Sequence, residues 1–140
     1  MRRHLPEKEQ VQMSEIFYTK AHSWAREEDN GEVSVGITDY AQEQMSELTF
    51  VELLPDAGEH VEEDAEIATV ESVRATNEVY CPIAGTVTAV NGDLADQPEL
   101  VNSDPFGKGW MIRLKPDDPA DLEKLLDADA YEEILPGDDE

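Results

Sequence analysis

The chain has 140 residues, and its formal net charge of −24 comes from 34 Asp and Glu against 10 Lys and Arg. At about one domain's worth of length, such a surface repels phosphates, which argues against nucleic acid and anionic membranes; it suits basic partner surfaces, a salt-rich cytoplasm or simply a solvated acidic surface with no specific role. No apolar run approaches the roughly 20 residues of a membrane helix, residues 1–12 lack the apolar stretch of a secretory signal, and the single cysteine permits no internal disulfide.

A monomeric cytoplasmic protein is therefore expected, with a flexible tail over 1–15, one folded unit over 16–135 and a frayed acidic end over 136–140. Hydrophobic residues make up 39% of the chain and run throughout it, which favours a folded domain over disorder. The tail has no apolar periodicity, and Met13 is as good a candidate start as Met1. From Ser23 a hairpin is predicted, turning at Asn30-Gly31 in type I′ geometry and returning through Val33, Val35 and Ile37. Thr38 or Asp39 can cap a short helix whose Tyr40, Ala41 and Met45 share a face.

"LTFVELL" reads as a strand that breaks at Pro55, and Val61, Ala65, Ile67 and Thr69 form an alternating set leading into the stretch "VESVRATNEVYCP". Beyond it "EVYCPIAGTVTAVN" reads as strand, with Pro82 and Gly85 marking a bend. "GWMIRLK" follows as another strand. The segment 117–135 is predicted as one helix, capped by Asp118, with Pro119 in its first turn and Leu122, Leu125 and Leu126 sealing one face of the fold. Two similar units, each beginning at Ala-Gly, flank the stretch around residue 74. That pattern predicts a flattened β-barrel or sandwich with Arg74 exposed at its corner.

Few residues offer chemistry. His22, His60 and the third histidine lie too far apart in sequence for a metal set, so no metal is expected, and His22 reads as a packed or hydrogen-bonded strand residue. Trp24 and Trp110 read as core, with the border of a cleft as the second reading, and Cys81 as a small buried hydrophobe. Glu71 and Glu78 flank Arg74 but have no pocket around them, which favours a solvated or ion-paired role over a general acid–base pair and argues against independent catalysis. Arg74 itself has two readings: a surface cation held by Glu71 or Glu78, or a contact for a docking partner.

The stretches "VGITDYAQEQMSELTFVELLPDAGEHVEE", "VESVRATNEVYCPIAGTVTAVN", "PELVNSDPFGKGWMIRLKP" and "LLDADAYEEIL" together resemble the H protein of the glycine cleavage system, in order, from about Phe17 to Leu135. The resemblance implies an α+β, mostly β fold, a lipoyl-type hybrid barrel-sandwich with short helices and a C-terminal helix. It also implies a carrier without catalysis of its own. In that family a lysine at the tip is amide-linked to lipoic acid. The arm serves glycine decarboxylase (P protein), the aminomethyltransferase (T protein) and dihydrolipoamide dehydrogenase (L protein), and the tip also meets the lipoylation enzymes.

The tip here reads Glu71-Ser72-Val73-Arg74-Ala75-Thr76-Asn77-Glu78, with arginine where the family has its lysine. A guanidinium keeps the charge and loses the nucleophile, since its pKa lies above about 12. Two further positions depart from the family pattern. Ala21-His22-Ser23-Trp24 stands where S-H-E-W is usual, which removes a cleft carboxylate at Ser23, and Glu78 replaces the family's aspartate. The resemblance with these departures implies a protein without lipoate at Arg74, carrier-defective or repurposed for docking or regulation. The alternative is a working lipoyl carrier in which Arg74 is an engineered or erroneous change.

Overall fold

The computed structural model describes residues 16–135, so the expectations for the tail 1–15 and the end 136–140 lie outside the described residues. Among the described residues nine strands form two sheets: β1 (Ile16–Tyr18), β2 (Ser23–Glu27), β3 (Val33–Ile37), β9 (Ile112–Pro116), β8 (Gly85–Val90) and β5 (His60–Val61) in that order, and β4 (Leu48–Leu53), β6 (Glu66–Ser72) and β7 (Thr76–Tyr80) in the other. Every pairing is antiparallel. The inward residues of both sheets meet in one core, where Val33, Val35, Ile112 and Leu114 pack in a cluster with Val51, Ile67, Val70 and Val79. This is the expected mostly-β sandwich.

The short helices close its ends. α1 (Asp39–Met45) is capped by Thr38, whose hydroxyl accepts the Ala41 amide, and it buries Gln42 and Met45. α2 (Asp93–Asp96) and α3 (Leu100–Ser103) were not anticipated; each is a single turn that seats one apolar residue, Leu94 or Val101, in the core. Asn102 ties α3 to α1, donating to Gln42 Oε1 at 2.8 Å and to the Ser46 carbonyl at 2.9 Å.

Several sequence expectations need correction. The β2–β3 connection is not a type I′ turn: only Gly31 has positive φ, 88°, and a Gly31 amide bond to the Glu28 carbonyl marks a longer loop. Thr69 does not continue the inward set, because the register slips between Glu66 and Ala68 and puts Ile67, Ala68 and Val70 in the core. "EVYCPIAGTVTAVN" is two strands in different sheets, β7 and β8, separated at Pro82.

The C-terminal segment is likewise divided. A 3₁₀ turn (Pro119–Lys124) capped by Asp118 ends at Leu125, and α4 (Ala128–Ile134) begins afresh on Asp127. Between them Leu126 pairs with Tyr18 of β1 through backbone bonds of 2.8 and 2.9 Å. Leu122 is buried and Leu125 packs against the core as a sealing residue. Trp110 is not core: it lies half-buried outside β9 with the Arg113 guanidinium 4.2 Å from its ring centre.

Candidate functional site

β6 and β7 form a hairpin whose tip is Val73-Arg74-Ala75. The Ser72 amide donates to the Ala75 carbonyl at 2.9 Å, and the Ser72 hydroxyl accepts the amides of Arg74 at 3.1 Å and Ala75 at 3.2 Å. A hydroxyl that gathers two amides is the local device by which serine sharpens a turn. It leaves Val73, Arg74 and Ala75 in solvent, as the sequence led us to expect for Arg74.

The Arg74 side chain folds toward α1. Its Nη1 donates to Ser46 Oγ at 3.3 Å, and Ser46 is the C-cap of α1, a helix with no basic residue in its last turn. A cation there faces the negative end of the helix dipole. Neither Glu71 nor Glu78 holds it: the ion pairs among the described residues are Arg26–Glu28, His60–Glu62, His60–Asp117 and Lys124–Asp121. Glu71 instead pairs across the hairpin with Thr76, and Glu78 with Thr69. The ion-paired reading of Arg74 is thereby corrected.

Beside the tip lies a hollow of about 210 Å³ between α1, the outer edge of β7 and the turn before β2. Ala21, His22, Tyr40, Met45, Asn77 and Glu78 are among the residues that line it, a space for several waters or one small group. His22 occupies its turn at φ 69° rather than in a strand, with Nδ1 2.7 Å from the Tyr131 hydroxyl. That hydroxyl also lies 2.8 Å from Thr38 Oγ1, so α4 and the helix cap together fix the imidazole. Burial pushes the His22 pKa below its ordinary 6.5.

Sequence reasoning missed Tyr40, Met45 and Tyr131 here. The helical spacing of Tyr40 and Met45 marked them as packing residues, and no local signal places residue 131 beside residue 22. Ser23, read from sequence as part of the cleft, is instead buried behind the turn with its hydroxyl 2.9 Å from Thr19 Oγ1, and it does not line the hollow. The structure thus brings Ala21 and Glu78 together at the hollow and holds Glu71, Ser72, Val73, Arg74 and Ala75 on the hairpin beside it.

The remaining candidates are structural. Cys81 is fully buried, donates to the Ile83 carbonyl at 3.0 Å, and burial drives its thiol pKa up to about 12, which denies it the thiolate needed for acyl transfer. Trp24 is core, its indole N–H donating to the Pro105 carbonyl at 3.0 Å. Among the described residues no cluster of His, Cys, Asp and Glu has the geometry to hold a metal, and no helix is long and apolar enough to cross a membrane.

Residues 16–138 match the family model described as "Glycine cleavage H-protein". A glycine cleavage system H protein of Psychrobacter cryohalolentis is 52% identical over 122 residues, which is 87% of this chain and 96% of that relative. One from Thermus thermophilus is 50% identical over 119 residues, covering 85% and 91% of the two chains. The crystal structure of a glycine cleavage system H protein from Mycobacterium marinum superposes with a TM-score of 0.75 at 32% identity, over 84% of this chain and 94% of that one.

Proposed function

The chain belongs to the glycine cleavage H-protein family, and on that premise we propose that its tip stays free of lipoate and serves as a docking element. The family is a non-catalytic carrier with covalently bound lipoate that meets the P, T and L proteins of the glycine cleavage system. The functional unit we propose spans residues 16–135. Within it Arg74 stands where the family's attachment lysine is expected, and Glu71, Ser72, Val73, Ala75 and Glu78 form the surface that a partner or a lipoylation enzyme would meet. Ala21 would border the hollow where a loaded arm rests.

One observation carries this reading: the group at the apex of the exposed β6–β7 hairpin is a guanidinium. Lipoylation forms an amide when a neutral amine attacks the carbonyl of an activated acyl group, expels the activating group and sheds a proton. Lysine supplies that amine after losing one proton from its ammonium. A guanidinium with a pKa above about 12 keeps its proton and has no free lone pair to offer. The described lysines, Lys20, Lys108, Lys115 and Lys124, all lie outside the β6–β7 hairpin.

The Ser23 position supports the same direction. The loaded arm of the family ends in an amine, for which a carboxylate near Ala21 and His22 would be a counter-charge. Here the side chain at 23 is a buried hydroxyl turned to Thr19. The hollow keeps one carboxylate, Glu78, and its shape, but a cationic arm would find less to hold it.

Intact mass spectrometry tests the proposal. The purified chain, incubated with lipoate ligase, lipoate and ATP, should keep its unmodified mass, whereas Arg74→Lys should gain one lipoyl group that peptide mapping places at residue 74. A lipoyl adduct anywhere on the unaltered chain overturns the proposal. An Arg74→Lys variant that stays unmodified shows that the turn has diverged as well as the nucleophile, and it removes the docking surface from the reading.

A further inference from the structure

We propose that the outward face of the β4-β6-β7 sheet is a docking surface for a protein partner that presents an apolar socket ringed by lysine and arginine. The inference rests on the family reading above, because that reading makes the chain a component that acts by meeting other proteins. Four large hydrophobic side chains are exposed among the described residues, and three stand here: Val73 at 80% exposure, Phe50 at 44% and Leu54 at 42%. Phe50 and Leu54 lie four residues apart on one face of β4 and its continuation, with exposed Glu52 between them, while Val51 turns into the core. Val73 stands exposed at the tip of the same sheet.

Register puts carboxylates around these side chains. Phe50 stands opposite Glu71, which stands opposite Thr76; in the next rung Glu52 faces Thr69, which faces Glu78. Glu52, Glu71 and Glu78 are all exposed, and none takes part in an ion pair among the described residues. Like charges on neighbouring strands repel. Arg74 at the tip bends away to Ser46 rather than over the sheet. An aromatic and two aliphatic anchors with an ionic rim is the anatomy of a protein contact, the anchors giving affinity and the rim giving selectivity and on-rate.

Charge decides the occupant. A second copy would bring the same three glutamates against these three on a chain of net charge −24, and phosphate surfaces are repelled in the same way. A basic rim on a partner protein relieves the repulsion and leaves the socket for Phe50.

The test measures binding of the full chain to the P, T and L proteins encoded in the same genome, one at a time, by calorimetry at two salt concentrations. Phe50→Ser should weaken at least one of these complexes on the order of tenfold or more. The triple variant Glu52→Lys, Glu71→Lys, Glu78→Lys should weaken the same complex and flatten its salt dependence. The triple Glu123→Lys, Asp129→Lys, Glu133→Lys makes the same charge change on exposed positions elsewhere and should bind like the unaltered chain. All four positions on the sheet face are exposed, so thermal unfolding should report intact variants. Binding that Phe50→Ser leaves unchanged, equal loss in the control triple, no complex with any of the three, or a self-dimer that Phe50→Ser abolishes each overturns the inference. A lipoyl adduct at the tip would sink the bare-tip reading and leave this face untouched.

Discussion

Two histidines show how far one residue type can be driven in opposite directions by its neighbours. His60 is exposed, and its Nε2 lies 2.6 Å from Asp117 Oδ2; that hydrogen bond first, then the Asp117 and Glu62 charges, raise its pKa above 6.5. His22 has only its burial to shift it, and its pKa falls. A raised histidine stabilises the fold fully below the unfolded value near 6.5, and the contribution fades as pH climbs through the folded value. A lowered one works the other way: acidifying below about 6.5 protonates the unfolded chain first and costs stability. Imidazole titrations by NMR should therefore give a midpoint above 6.5 for His60 and one below it for His22. The stability gap between the unaltered chain and His60→Gln should be widest below pH 6.5 and narrow as pH rises. Equal midpoints would contradict both environments. At this scale the sequence was uneven. The exposure of Arg74 was legible because two alternating runs flank it, whereas the direction of Ser23 was not, since a left-handed turn at His22 rotates the next side chain inward.

The strands and helices were legible where pattern alone decides them and illegible where tertiary contacts do. Val33, Val35 and Ile37 mark β3 because alternation is the signature of a strand, and Thr38 marks the start of α1 because its hydroxyl can reach the Ala41 amide. The break between the 3₁₀ turn and α4 is invisible in the run of leucines. It exists because Leu126 gives its backbone to Tyr18, 108 residues earlier in the chain. The Trp24–Gly36 pair belongs to the same class. These residues face each other in the β2–β3 register, and a Cβ on Gly36 would lie 2.8–2.9 Å from the indole. The ring cannot retreat easily, being fully buried and held by the Pro105 carbonyl. Gly36→Ala should therefore cost about 1–3 kcal/mol through overpacking, read as a lower urea midpoint with an unchanged slope. A neutral Gly36→Ala would mean that the Pro105 loop yields and that the tryptophan does not brace this hairpin.

At the scale of the molecule the dominant fact is unbalanced charge. The chain sets 34 carboxylates against 10 Lys and Arg, and only four ion pairs form among the described residues. Three of those involve at least one side chain more than two-fifths exposed, where pairing contributes little. Repulsion between carboxylates therefore outweighs attraction across the surface, and it acts against the compact state more than against an unfolded chain that can spread its charges apart. Salt screens both terms, with a Debye length of about 10 Å at 0.1 M and about 3 Å at 1 M. The net effect must follow the larger one. Raising NaCl from 0.05 to 1 M should raise Tm by roughly 3–8 °C, a gain of about 1–2 kcal/mol for a domain of this size, with most of the rise complete within the first few tenths molar. Choline chloride at equal ionic strength should reproduce it, because screening depends on charge and not on which cation carries it. A Tm that stays flat or falls would mean that the acidic groups lie far enough apart to cost the fold nothing, and the relief of repulsion invoked for the β4-β6-β7 face would then have to come from its three glutamates alone.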